Sequence, residues 1–406
     1  MTRFWGIRPI ALTAQLLAAQ LIEGSLGVVA AAESKPITIG GTLGLTGVFA
    51  DPSADYKVVY DRWLADINRR GGLLGRPVKL VIYNDEGTPT VAQQLYNRLL
   101  DQDQVDLVLA PFSTFVGGAI VPLVLSHNKL LFNGGFAGIN IFKNAKGAMI
   151  GTQTYQEPDF TRGVFELIKS LPAEKRPKRA AIFTVQNPFP LVVRDGLAGK
   201  GGALAFAKEA GIEVVVNEQY PPTATDFTAL VQKAKAAGAD LLLELGTPPD
   251  SLQMVRTVAQ QGYKPALFCT CGSQVITLAA WPKLGNAAEG VFGTTVSWPS
   301  QGYDGLASLA ESYHARGNET VPTYAIVGHA ILQVIEQAVT GANSLDQDKL
   351  RQYIYSHDFH TAAGDIHFQD DGTPTFAALL LQYVHGSNQV VWPPKDQTAP
   401  PLVPMP

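Results

Sequence analysis

ITIGGTLGLTGVFAD, residues 37–51, is the stretch that decides the fold. Its β-branched start, Ile37-Thr38-Ile39, reads as a buried strand. The strand gives way to a turn-rich loop holding Gly40, Gly41, Gly44 and Gly47, and then to a helix-like run from about Ala54 to Asn68. A strand, a glycine loop and a helix open a parallel α/β domain, and ligands of such sheets sit at the carboxyl ends of the strands. Glycine there permits positive φ and lets the backbone come close to a ligand. A plain strand-to-helix turn needs the same residues, so the loop alone leaves binding open.

Working outward, the amino terminus sets the compartment. Residues 1–32 carry Arg3 and Arg8, an apolar run from Ile10 to Leu21, and small residues ending Ala30-Ala31-Ala32. That is the plan of a secretory signal peptide, with cleavage expected after Ala32. Glu23 and several glycines interrupt the apolar run before it could span a bilayer. No cysteine lies near the junction, so no lipid anchor is expected, and the mature chain is read as exported, soluble and periplasmic.

About 370 residues remain, enough for two domains. The net charge of −4 and the lack of a basic run beyond Lys175–Arg179 argue against a nucleic-acid partner. Cys269 and Cys271 are the only cysteines. On a strand they face the same way, but a bridge over one intervening residue is strained. They are read first as two small buried hydrophobes, with a bridge left open. Two thiols without a histidine pair make no zinc site, and neither a metal nor a cofactor is expected.

Strands and helices alternate through the chain. Strands are predicted at 37–43, 78–83, 105–110 and 129–132, each followed by a helix or a cleft-type loop. A second series runs through strands 180–185, 212–219, 241–245 and 266–270, with a single helix from the 186–190 loop to Ala210. Such alternation means βαβ units and parallel sheets, and two series of similar size suggest two similar lobes. Strand 291–296, helices 323–340 and 346–356, and strands 364–368 and 376–384 follow. The proline-rich end, 392–406, reads as a loose tail.

These pieces, in order, resemble the periplasmic binding proteins of the branched-chain amino-acid type. The residues that carry the likeness are Leu45-Thr46-Gly47, Ile67 to Gly75 with its Gly71-Gly72 turn, and Asp85-Glu86 after the second strand. Further on they are Asp226 to Leu230 before Gly238-Ala239-Asp240, Gly364 to Phe368 before Asp371-Gly372, and Val390-Val391-Trp392-Pro393. The resemblance implies the type I fold, α/β with two doubly wound parallel-sheet lobes joined by a three-segment hinge. Crossings then fall near Thr154, Val296 and Gly372. Lobe one holds 33–154 and 297–372, and lobe two 155–296 and 373–406. It also implies a non-enzymatic monomer that closes over a small molecule and meets the permease subunits of an ABC transporter. No catalytic residue and no stable membrane anchor are expected.

Loops after the parallel strands, at 44–51, 111–114, 133–138, 187–190, 246–249 and 271–274, should face the cleft. The family holds an amino-acid carboxylate with hydroxyls and amides after its third and fourth strands, and Ser113 and Thr114 match the first position. A helix cap by Ser113 with no ligand is the structural alternative. Phe136-Ala137 stands where the family keeps a small residue and a hydroxyl. Tyr155-Gln156 and Gly272-Ser273-Gln274 stand where amino-acid binders keep acids, with Glu157 as the candidate substitute. Phe49, Phe112, Phe136, Tyr155 and Phe189 offer an aromatic lining, and Thr247 and Ser273 complete the expected site. An α-ammonium left without a carboxylate bears a heavy desolvation cost, so a carboxylate or amide with an apolar or aromatic body is expected. Trp298-Pro299 is read as hinge packing.

Other readings are weaker. Gly41-x-x-Gly44-x-x-Gly47 lacks the spacing of a dinucleotide fingerprint. His357, His360 and His367 come with no catalytic motif and read as surface histidines. A standard amino-acid ligand, or a ligand-sensing subunit of a signalling system, uses the same closure and stays open.

Overall fold

The computed structural model describes residues 35–153, 157–318, 320–374 and 379–406. The leader read over 1–32, together with Tyr155 and Gln156, lies outside the described residues.

The first series runs β1 (Ile37–Leu43), α1 (Ala50–Arg69), β2 (Val78–Asn84), α2 (Pro89–Asn97), β3 (Leu107–Leu109), α3 (Thr114–Ser126), β4 (Leu131–Asn133), α4 (Ile139–Ala145) and β5 (Met149–Gly151). Its strands form one parallel sheet ordered β2-β1-β3-β4-β5. Gly40 and Gly41 belong to β1 and not to the loop after it. A Cβ on Gly40 would meet Val105 at 2.6 Å, so the missing side chain lets the segment leading into β3 close on β1. The loop that does follow is fastened by Asp85, fully buried, which accepts from the Thr42 hydroxyl at 2.5 Å and the Gly87 amide at 2.8 Å. Gly47 turns with φ of 85°, a conformation natural only to glycine.

The second series runs α5 (Arg162–Ser170), β6 (Arg179–Val185), α6 (Pro188–Asp195), α7 (Ala203–Glu209), β7 (Glu213–Tyr220), α8 (Thr228–Ala236), β8 (Leu241–Leu245), α9 (Pro248–Gln260), β9 (Leu267–Thr270) and β10 (Phe292–Thr295). After it come α10 (Leu306–His314), α11 (Thr323–Ala342), α12 (Gln347–Ser356) and the hairpin β11 (Phe359–Thr361)–β12 (Gly364–Ile366). The chain then rejoins the second sheet as β13 (Leu379–Val384) and β14 (Ser387–Trp392), giving the order β14-β13-β10-β9-β8-β6-β7. β6 to β10 are parallel, while β13 and β14 add antiparallel edges. Alternate residues of β6 serve opposite faces: Ala181 and Phe183 join one apolar cluster, Ala180 and Ile182 another. Burial on both faces is why these strands read as continuous apolar runs.

α11 crosses behind the first sheet and packs along α1. Among the described residues it is the one helix long and apolar enough to cross a membrane, yet 67% of that stretch is buried within the protein.

Three expectations need correction. The single helix to Ala210 is two helices, because Gly196 and Gly202 adopt positive φ between them and the Gly202 amide donates to the Pro158 carbonyl at 2.6 Å. The tail is not loose. Gln382 holds Leu402 through both its amide groups, the Met405 amide donates to the Ala266 carbonyl at 2.9 Å, and Val403 is buried. Cys269 and Cys271 are both fully buried, as small hydrophobes would be, but they are joined in a disulfide with their Cα atoms 5.3 Å apart.

Candidate functional site

A parallel strand ends where the next helix begins, so strand ends and helix starts collect along one edge of each sheet. Here α3, α6 and α9 all start at a single cleft, with Ser113, Asn187 and Thr247 at their N-cap positions. The cleft holds about 660 Å³ of space, its open mouth included. Phe49, Phe112, Ser113, Thr114, Phe136, Ala137, Phe189, Thr247 and Ser273 all line it. The expected site residues that the structure describes are therefore together in one place. Trp298 is not among the lining residues.

On the first-sheet side the walls are aromatic. The Phe112 ring meets Phe49 edge-on at 5.3 Å and Tyr324 at 5.1 Å, with Tyr56 behind at 6.0 Å. Opposite, Phe160 and Phe189 pack edge-to-face at 5.1 Å. Such contacts hold rings at fixed angles and leave flat apolar surface for a ligand. Phe115 stands at the rim with 45% of its surface exposed.

Polar groups are few and placed. Ser113 occupies the N-cap of α3 but makes no side-chain cap bond. The structural alternative, a capping serine, is thus not what this hydroxyl does. Thr114 follows it, nearly buried, at a helix end that favours an anion. Gln274, 3% exposed, leaves its Nε2 without a partner, and its backbone amide donates to the Tyr324 hydroxyl at 3.3 Å. Gln153 also lines the cleft, donating to the Gly134 carbonyl at 3.1 Å beside the Tyr56 hydroxyl. None of the described lining residues is an Asp, Glu, Lys, Arg or His.

Acids sit behind the walls. Glu157 does not line the cleft; its carboxylate accepts from the Ile139 amide at 3.2 Å, at the start of α4, and burial pushes its carboxyl up to about 8. The proposed substitute for an ammonium partner is thus turned away. Glu244, at the end of β8, is fully buried, and burial lifts it also to about 8. Ser251 donates to its Oε2 at 2.6 Å, the Tyr220 hydroxyl lies 3.2 Å from its Oε1, and the Ser251 and Ser273 hydroxyls are 3.1 Å apart. Asp250 accepts from both the amide and the hydroxyl of Thr247, at 2.9 and 2.7 Å. The late histidines are surface groups: His360 pairs with Asp365 and His367 with Asp358. Among the described residues no group of three His, Cys, Asp or Glu could hold a metal.

Sequence reasoning missed Tyr324, Gln153 and Phe160 as lining residues, and it put Gln274 on a cleft-facing loop without giving its side chain a role. Tyr324 offers a faint signal: a polar-tipped aromatic in the first turn of a long helix, just after Pro322, where helix starts gather at the cleft.

A family model described as periplasmic binding protein matches residues 36–388. Among curated proteins, a Pseudomonas aeruginosa amino acid binding protein is 26% identical over 339 residues, covering 79% of this chain and 84% of its own. A leucine-, isoleucine-, valine-, threonine- and alanine-binding protein of the same organism is 23% identical, covering 88% and 92%. Among solved structures, an R. palustris ABC-transporter solute-binding protein in complex with benzoate aligns with a TM-score of 0.74 at 16% identity, over 92% of this chain and 98% of its own. The Streptococcus pneumoniae branched-chain amino acid substrate-binding protein LivJ, in complex with isoleucine, aligns with a TM-score of 0.74 at 17% identity, over 88% and 100%.

Proposed function

The chain belongs to the periplasmic binding protein family, and from that membership we propose that its cleft captures an aromatic carboxylate without an α-amine. As a member it is a non-enzymatic solute-binding component of an ABC transporter. The observation that carries the ligand reading is a lining of rings and uncharged polar groups with no carboxylate among its described residues. Burying one aromatic ring contributes roughly 2–3 kcal/mol. An ammonium taken into the same cleft without a partner would cost several kcal/mol. A carboxylate is met by Ser113, Thr114 and the free amides at the start of α3, groups that shorten and strengthen hydrogen bonds to an anion. The benzoate complex of a structural relative agrees with this reading.

The lobes, 33–154 with 297–372 and 155–296 with 373–406, close about the three segments of chain that join them, and the leader at 1–32 sends the chain to the periplasm. Closure follows because a ligand touching both walls binds the closed state better than the open one.

Calorimetric titration tests the ligand. Benzoate or a substituted benzoate should bind at about micromolar affinity, and leucine no better than about millimolar. Ser113→Ala should weaken the acid roughly tenfold, and Phe189→Ala by a similar factor through lost packing. The curated relatives named for leucine and its kin favour a second reading, an amino-acid ligand. Tight leucine binding would establish that reading and end the first.

A further inference from the structure

Three helices begin at the cleft, and they begin differently. α3 opens Ser113-Thr114-Phe115, with a Ser113 hydroxyl that makes no cap bond, N–H groups on Thr114 and Phe115, and no acid in its first turn. α6 opens Asn187-Pro188-Phe189-Pro190, so of its first three helical positions only Phe189 has an N–H. α9 opens Thr247-Pro248-Pro249-Asp250, and its first two helical positions have none. We infer that the cleft seats one anionic group only, on α3, and that the wall made by α6 and α9 receives an uncharged end of the ligand, so that aromatic monocarboxylates are taken and dicarboxylates refused.

A helix start holds an anion through the free N–H groups of its first turn. Proline removes those donors at no cost to the helix, because the same groups have no partner within it. At α9 the anion position is also filled from inside. Asp250 turns back over the helix start and accepts from both the amide and the hydroxyl of Thr247, at 2.9 and 2.7 Å. A second carboxyl stands close behind: a Cβ on Gly246, a lining residue, would lie 1.9 Å from Glu244 Oε1. Ionised, these two acids repel a further anion; protonated, they still bring it no positive charge. No Lys, Arg or His among the described lining residues offsets them. A carboxylate carried to this wall would give up its water for little in return.

The wall is not closed to polar groups as such. Asn187, Ser273 and Gln274 line it, and their side chains both donate and accept without charge. They suit a neutral substituent. The inference rests on the aromatic-carboxylate reading and sorts the acids it covers by charge.

Calorimetric titration of the whole chain at neutral pH tests it with benzoate and three pairs of acids. Each pair sets phthalate, isophthalate or terephthalate beside the monoacid in which one carboxylate is a carbamoyl group. Carbamoyl keeps the shape of a carboxylate and lacks its charge. The best-bound carbamoyl acid should exceed its dicarboxylate partner by at least about thirtyfold, the range of an unmet charged group. Pro249→Ala combined with Asp250→Ala opens the start of α9 and should narrow that ratio about fivefold. Pro188→Ala with Pro190→Ala should do the same at α6. A purely structural effect would weaken both acids of a pair alike and leave their ratio where it was. Circular dichroism checks that each variant folds, and the wild-type ratio decides the inference even if neither does. A dicarboxylate bound as tightly as its carbamoyl partner would overturn the inference and leave the aromatic-carboxylate reading standing. Refusal of all six paired acids while benzoate binds would overturn it too, since the far wall would then select by size. An unchanged ratio in both folded variants would overturn the role of the helix starts. Failure of every acid to bind would end both readings.

Discussion

Glu157 and Glu244 are carboxyls held where ionisation is costly. Burial lifts both from the ordinary glutamate value of 4.5 to about 8. A raised carboxyl is protonated more readily in the folded than in the unfolded chain. Its contribution to stability is therefore complete below pH 4.5 and is lost as pH climbs through 8. Each acid can tilt the curve by up to about 1.4 kcal/mol per pH unit. Urea unfolding of the wild type should give lower stability at pH 8 than at pH 5. Glu157→Gln keeps an oxygen for the Ile139 amide and removes the charge. It should add roughly 1–2 kcal/mol at pH 8 and change little at pH 5; a variant that tracks the wild type at both would show that Glu157 is not the source. Residues of this kind were only partly legible in sequence. Ser113, Thr114, Phe49 and Phe189 stand directly after strands, where local order alone puts them at the cleft. Tyr324 and Glu244 depend on which distant element packs behind them, and an apolar run such as Leu241–Leu245 conceals the direction its one acid takes.

At the scale of elements, the contact that shapes the aromatic wall is the pairing of α1 with α11. It closes on Gly328, where an added Cβ would stand 2.6 Å from the Tyr56 ring and 3.2 Å from Val59. Tyr56 in turn touches Phe112 and Tyr324. A larger residue would wedge the helices apart and tilt the rings of the cleft. Gly328→Val should lower stability by about 1–3 kcal/mol, less what the helix gains by losing a glycine. It should also weaken ligand binding, read by thermal melting and titration of the same sample; weakened folding with unchanged affinity would mean that the wall does not depend on this contact. Most elements were legible because each sheet is parallel and buried, so strands show as apolar runs between helices. The break between α6 and α7 was signposted by four glycines in 196–202. α4 and α10 were missed, being short helices whose apolar faces are too brief to show a period.

For the molecule as a whole, the proposed closure makes a size prediction. Small-angle scattering should give a smaller radius of gyration with saturating ligand, and an unchanged radius would mean fixed lobes or binding outside the cleft. The exposed Phe115 at the rim should lose accessibility at the same time. The two-sheet plan was visible from alternation, and the order of motifs across some 350 residues placed the chain in its family. The tail was misread because prolines signal an irregular path, and an irregular path can still be tied down by a partner such as Gln382, 20 residues away in sequence. The Cys269–Cys271 bridge offers a further use. Both sulfurs are sealed from solvent, so a reductant reaches them only during brief local openings of β9, and the half-life of the bridge becomes a clock for those openings. Gly272, Ser273 and Gln274, the residues just beyond, line the cleft. A compound seated on them should slow that clock, by up to about a hundredfold at a hundred times its dissociation constant if it must leave before the strand can open. Trapping the freed thiols with an alkylating agent and weighing the protein then sorts a library of unlabelled compounds by mass alone, whatever their chemical class and with no fluorophore on either partner.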